Sequence, residues 1–331
     1  MSYSAPDNVT PVDTLPPAWR EAPSTRFYRV EPFRPASVRS LIISCGLFVV
    51  TFCTCLVAGT QFAAAYAHNQ AVSWDDFVRA FTLVYKNPAG LGAGLPFALT
   101  LMTILLAHEL GHFFACRYHR IQSSYPFFLP FPTLIGTLGA FILIRSPIRT
   151  TRALFDVGAS GPLVGFVAAV PALVYGVLRA KFVPGLSGPH AEFVLGTPLI
   201  VHFFSTVLHP GAAVSNLLLH PVGRAAWVGL FATSLNLLPA AQLDGGHILR
   251  AFSPRAHRYS SLLLPLGLIS LGYFHYWMGW YIWGGLLLGI RFFRTLPICH
   301  PEPLDADRRA AALLTLVVFI LCFMPAPFLE R

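Results

Sequence analysis

The chain has 331 residues, 55% of them apolar and 11% charged, against about 25% charged in an ordinary soluble domain. Its mean hydropathy is +0.62, and several runs approach the roughly 20 apolar residues that a helical span requires. A soluble globular protein is excluded, and the net charge of +9 belongs to membrane topology rather than to nucleic-acid binding. The six cysteines (45, 53, 55, 116, 299 and 322) are scattered, with the spacing of neither a zinc knuckle nor a disulfide framework.

Residues 1–40 are polar and proline-rich with five arginines, the composition of a disordered cytoplasmic tail. The first span is predicted over about Leu41–Ala67. Ala65-Tyr66-Ala67 resembles a signal-peptidase site, but a 40-residue leader and so long a span argue for an uncleaved anchor. A polar connection with an amphipathic patch, Trp74 to Tyr85, leads to a second span over about Leu91–Cys116. From Ile121 to Thr151 the chain is least helical, because Pro126, Pro130 and Pro132 forbid a continuous helix. Within it Thr137–Ile144 is rich in β-formers and bounded by Gly136 and Pro147, which predicts a strand or hairpin at membrane depth. Non-helical backbone is tolerated there only where protein or a wet cavity supplies hydrogen bonds.

A third span, about Val157–Ala180, opens on Gly158, Ala159, Ser160, Gly161 and Pro162 and continues through Gly165. Such small residues let another helix approach closely. Residues 181–221 are broken by Pro184, Pro189, Pro198 and Pro210 and read as interfacial or re-entrant helices. A fourth span, about Val222–Leu238, leads through Pro239 to Asp244. Ser260–Ile290 is either one long tilted helix or a hairpin turning near His275–Gly279, and the last span is about Ala310–Met324. With the N-terminus inside and the block a hairpin, the inner segments hold 17 lysines and arginines and the outer ones 6. This positive-inside split supports seven crossings. The expected fold is an all-α polytopic membrane protein of about seven transmembrane helices with a small membrane-associated β-hairpin. The expected organisation is a tail (1–40), a first anchor and connection (41–90), a catalytic core (91–250) and C-terminal transmembrane helices (251–331).

The chemistry concentrates in His108-Glu109-Leu110-Gly111-His112, near the end of the second span. Histidines at i and i+4 share one helical face, where their imidazoles can hold one metal ion, and Glu109 stands beside them as general base. Ionisable residues inside a span are costly and functional by default. His112 lies five residues from the basic interface at Arg117, so the ion would sit about 8–13 Å below the cytoplasmic surface at 1.5 Å per residue. A third protein ligand is needed if the ion is to keep an open position. Asp244 ends up at the same depth and is the first candidate, with His247 as the alternative; His202, His209 and His220 fall on the outer side. A membrane-anchored zincin acting on soluble peptides would need a third ligand soon after the helix, and His119 has the wrong spacing. A metal transporter or carrier would need the ligands but not Glu109.

The His108–His112 motif, together with Asn236-Leu237-Leu238-Pro239-Ala240-Ala241-Gln242-Leu243-Asp244-Gly245, resembles the paired signature of site-2 proteases, zinc intramembrane metalloproteases. The likeness covers about residues 91–250, including Gly158–Gly165, which matches the small-residue motif of the intervening helix. It implies one zinc ion per chain on His108, His112 and Asp244, with Glu109 as base and Asn236 in the cleft beside the substrate or its oxyanion. The Thr137–Ile144 strand, with Leu138, Gly139, Ala140, Phe141 and Ile142, would pair with an unwound substrate. The implied substrates are single-span membrane proteins within the lipid bilayer, cut in regulated intramembrane proteolysis, with no nucleic acid involved. The implied setting is a bacterial inner membrane with the N-terminus cytoplasmic. Many members carry a PDZ domain between the third and fourth spans; only about 40 residues lie there in this chain, and no CBS region follows, which resembles a compact, PDZ-less branch.

Overall fold

The computed structural model describes residues 37–73, 80, 82, 86, 88–186, 194–275, 277–290 and 302–329. The expected tail up to residue 36, most of the Trp74–Tyr85 patch and Cys299 lie outside the described residues. Helix α1, Val38–His68, starts three residues before the predicted span, where the Ser37 side chain accepts from the Ser40 N–H at 3.2 Å. It stops at Asn69, which adopts the left-handed conformation (φ 58°). A 3₁₀ turn, Pro88–Gly94, leads into α2, Leu95–Tyr118, with Pro96 in its first turn, where the missing N–H is harmless.

The predicted strand or hairpin at Thr137–Ile144 is one strand, and its partner, Phe127–Pro130, lies before the expected stretch. Strand β1, Phe127–Pro130, pairs antiparallel with β2, Thr137–Phe141, with a bulge between Phe128 and Pro130. The strand is shorter than predicted: after Phe141 the pairing survives only as an isolated bridge from Ile144 to Ser123. α1 backs this hairpin with a line of polar side chains. Thr54 Oγ1 donates to the Gly136 carbonyl at 2.6 Å and Gln61 Nε2 to Leu134 at 2.8 Å, while the Ser44 hydroxyl donates to the Pro126 carbonyl. These carbonyls lie just outside the two paired strands, and only that of Gly136 also accepts within the hairpin, from the Phe131 N–H at 3.4 Å, so the span that holds them must itself carry polar residues.

Helix α3, Thr151–Leu178, is capped by Thr150 and carries Pro162 and Pro171 inside it. It packs on α2 where a Cβ on Gly111 would lie 2.7 Å from the Ser160 carbonyl oxygen, so backbone meets backbone. Next come strands β3 (Lys181–Phe182) and β4 (Val194–Leu195), helix α4 (Leu199–Leu208) and strand β5 (Leu217–Leu218). β3 pairs with β5, and β4 with β6 (Phe328–Leu329) near the end of the chain. Helix α5, Pro221–Asn236, is the innermost element, with Trp227 and Leu230 essentially buried. It crosses α3 at a Gly176–Gly223 contact, where a Cβ on Gly176 would lie 2.1 Å from the Gly223 Cα. Helix α6 is Asp244–Phe252.

The Ser260–Ile290 block is two helices, α7 (Pro254–His275) and α8 (Gly279–Ile290), folded on each other where Gly284 meets the Pro265 carbonyl. α9, Ala306–Cys322, closes the bundle. Among the described residues three helical stretches are long and apolar enough to cross a membrane: Val38–His68, Pro88–Tyr118 and Thr151–Leu178. The predicted seven are not matched by length: α5, α8 and α9 have 16, 12 and 17 residues, short of the roughly 20 that cross unaided.

Candidate active site

α2 carries His108, Glu109 and His112 into the interior, at 5%, 4% and 7% exposure. α3 leaves room for both rings. A Cβ on Gly161 would fall 2.1 Å from His112 Nε2, and one on Gly165 3.0 Å from His108 Nδ1. The Nδ1 of His112 lies 2.7 Å from the Val157 carbonyl oxygen. Donating its proton there leaves the Nε2 lone pair free to bind an ion.

Asp244 arrives from the other side. After α5 the chain bends back through Leu237–Leu243, with Ala241 in the left-handed region (φ 51°), and α6 begins at Asp244. The two residues after it must be glycine for α6 to start so close to this bend. A Cβ on Gly245 would stand 2.0 Å from the Leu237 carbonyl oxygen, and one on Gly246 2.6 Å from that of Ala240. α7 grips the bend from outside. Ser261 Oγ accepts from the Ala241 N–H at 2.9 Å, His257 Nε2 donates to the Ala241 carbonyl at 2.9 Å, and Ser260 Oγ to that of Pro239 at 2.5 Å. Sequence reasoning missed these three, although their i, i+3, i+4 spacing puts three polar groups on one face of an apolar helix.

The two Nε2 atoms of His108 and His112 are 3.2 Å apart, and each is 3.3 Å from Asp244 Oδ2. A tetrahedral zinc ion with bonds of about 2.0–2.1 Å separates its ligand atoms by roughly 3.3 Å. Oδ2 is buried and makes no hydrogen bond of sound geometry. Two imidazole lone pairs and one orphaned carboxylate oxygen therefore converge, a donor set that fits zinc. His247 is not among the converging groups; it packs against α3, its Cβ 2.9 Å from where a Gly158 Cβ would be. Burial pulls its imidazole down to about 4, so it is neutral. His119 lies instead 2.7 Å from Asp156. Of the histidines expected on the outer side, His202 pairs with Thr197, His209 with the Val177 carbonyl, and His220 caps α5.

Glu109 lies within electrostatic reach of His108, His112 and Asp244, and its carboxylate accepts the Ile142 backbone N–H just past β2. Asn236, at the end of α5, has its Nδ2 3.3 Å from His108 Nε2. A cavity of about 180 Å³ adjoins His108 and Glu109; its walls are α2, α5, Trp283 of α8, and Thr137, Leu138, Gly139 and Ala140 of β2. Phe141 and Ile142 do not line it, because β2 ends there: the Phe141 ring lies against Phe127, 5.9 Å between centroids, and Ile142 packs towards Cys116 and Ile121.

Residues 96–271 match peptidase family M50. Among curated proteins, the chain is 26% identical over 255 residues to the rice (Oryza sativa subsp. japonica) probable zinc metalloprotease EGY1, chloroplastic, covering 72% of this chain and 42% of that protein. To the Arabidopsis thaliana probable zinc metalloproteases EGY1 and EGY2 it is 30% and 29% identical, over 50% and 80% of this chain and 31% and 47% of theirs. The chain thus spans less than half the length of these relatives. No solved structure matches it. The family match covers more than half of the chain and includes every converging donor, so the chain belongs to peptidase family M50, the site-2 protease family.

Proposed function

We propose that the protein is a zinc endopeptidase that hydrolyses peptide bonds within or near the transmembrane segments of single-span membrane proteins, as in regulated intramembrane proteolysis. The observation that carries this reading is the 3.2–3.3 Å triangle of His108, His112 and Asp244 atoms beside buried Glu109. When bound, zinc supplies positive charge that acidifies a water molecule and polarises a carbonyl. Glu109 accepts the proton of the attacking water and delivers it to the leaving amide nitrogen. Asn236 donates from Nδ2 towards the developing oxyanion, a role open to it once His108 Nε2 is engaged elsewhere. The apolar walls around Glu109 exclude bulk water and keep the proton on this route.

A transmembrane substrate must first unwind, because its carbonyls are held in helical hydrogen bonds. β2 offers replacement partners. Its residues line the cavity, and β1 and α1 occupy its other side. The substrate adds to β2 as a further strand, reaching Glu109 where Ile142 leaves off. The arginine distribution supports seven crossings with the N-terminus inside, the α7–α8 hairpin contributing two; the bacterial inner membrane rests on the resemblance alone, the relatives being chloroplast proteins by name. The test is zinc content and cleavage of a single-span substrate by wild type and Glu109→Gln. The variant should hold one zinc and lose on the order of 10²–10⁴-fold in rate. Substantial turnover by the zinc-loaded variant would remove Glu109 from its role.

A further inference from the structure

A second polar cluster lies where α2 ends and α3 and α9 begin. Asp156 of α3 accepts from Arg308 Nε at 2.8 Å and from its terminal nitrogen at 2.5 Å, a two-pronged pair between residues 152 apart. The same carboxylate lies 2.7 Å from His119 Nε2, at the C-cap of α2. Arg308 also pairs with Asp305, the N-cap of α9. One carboxylate thereby ties three helices together.

The register of these contacts points to the metal. His119 lies two helical turns beyond His112 on α2, and each meets the next residue of α3: His119 bonds to the Asp156 side chain, His112 to the Val157 carbonyl. We propose that Asp156, held by Arg308 and His119, is a positioning residue that fixes α3 against α2 so that the Val157 carbonyl keeps His112 turned for metal binding. A neighbouring carbonyl that orients a ligating histidine raises its affinity only while its distance holds, and loss of such outer support typically costs 10–100-fold in metal affinity. α9 thereby acts on the metal site without touching it. This rests on the reading of His108, His112 and Asp244 as metal ligands, and not on the substrate.

The fold supplies its own control. Arg152 Nε and Glu302 Oε2, 3.1 Å apart, also tie α3 to the segment before α9, but away from Val157. The experiment uses the full chain in detergent, with zinc affinity read by chelator competition, the visible spectrum of the cobalt(II)-loaded protein, and Tm. Asp156→Asn and Arg308→Ala should weaken zinc binding 10–100-fold and change the cobalt spectrum, while Arg152→Ala should change neither. Arg308→Lys keeps the charge but loses the two-pronged geometry, and should recover part of the affinity. Wild-type affinity and spectrum in Asp156→Asn, or an equal loss in Arg152→Ala, would reduce the junction to a structural staple and overturn the proposal. So would a fall in Tm with the cobalt spectrum of the folded protein unchanged. If His112→Ala holds zinc as wild type does, the proposal falls with the metal site. Proteolysis is not the readout, so its failure would overturn the peptidase reading and leave this one standing.

Discussion

At the scale of single residues, the site separates converging donor groups from neighbours that look alike in sequence. Asp244→Ala removes the orphaned oxygen and should weaken zinc binding by on the order of 10²-fold or more, beyond the loss of any outer partner. His247→Ala should leave zinc content and activity near wild type, because that imidazole packs on α3; isothermal titration with zinc compares the two, and a reversed order would exchange their roles. Gly161→Ala drives a methyl into the His112 ring, since its Cβ would fall 2.1 Å from Nε2. The expected cost is about 1–3 kcal/mol of stability, read by denaturant melts, together with impaired zinc retention; a neutral outcome would mean that the ring has room to move. His108, Glu109 and His112 were legible because they sit on one helix at a spacing that chemistry demands. Asp244 was legible from depth and charge. Asp156, His119 and Arg308 were not, since their meaning arises only when three helices bring them together.

At the scale of elements, the hairpin is held by α1 and opens on its other side to the cavity. Ala140→Pro tests this opening. Ala140 lines the cavity and lies two residues from Ile142, whose N–H points at Glu109 and away from β1, so the lost N–H is one that faces the open side. Cleavage should fall while zinc stays bound, and a Gly-Pro break in the substrate should speed wild type by lowering the cost of unwinding. If Ala140→Pro cuts as fast as wild type, β2 is a plug and not a docking edge. The existence of the strand was readable from β-formers between prolines. Its end at Phe141 was not, because it depends on the register with β1. The α7–α8 hairpin was one of two readings of a continuous apolar block, and Gly284 against the Pro265 carbonyl is what allows it.

At the scale of the whole molecule, hydropathy predicted more crossings than helix length alone supports. α5 is short because it lies among other helices and meets little lipid, so its length follows its neighbours rather than the bilayer. The orientation is testable with an impermeant maleimide on intact cells making a cysteine-free background chain. Ala213→Cys, in the connection before α5, should label at once, and Arg258→Cys, in the first turns of α7, only after lysis. The opposite pattern would invert the protein in its membrane.

The bend that delivers Asp244 has a consequence in time. The ribosome releases α1 before the hairpin it supports, so the sheet meets its backing as soon as it is made. The two histidines and Glu109 also emerge early, yet Asp244 follows more than a hundred residues later, and the bend that aims it is gripped by Ser260 and Ser261, later still. A nascent chain therefore carries Glu109 and two donors through membrane insertion without a closed metal site. The third donor is in place only when synthesis is nearly over, so zinc can close the site only on a chain most of whose helices are already made.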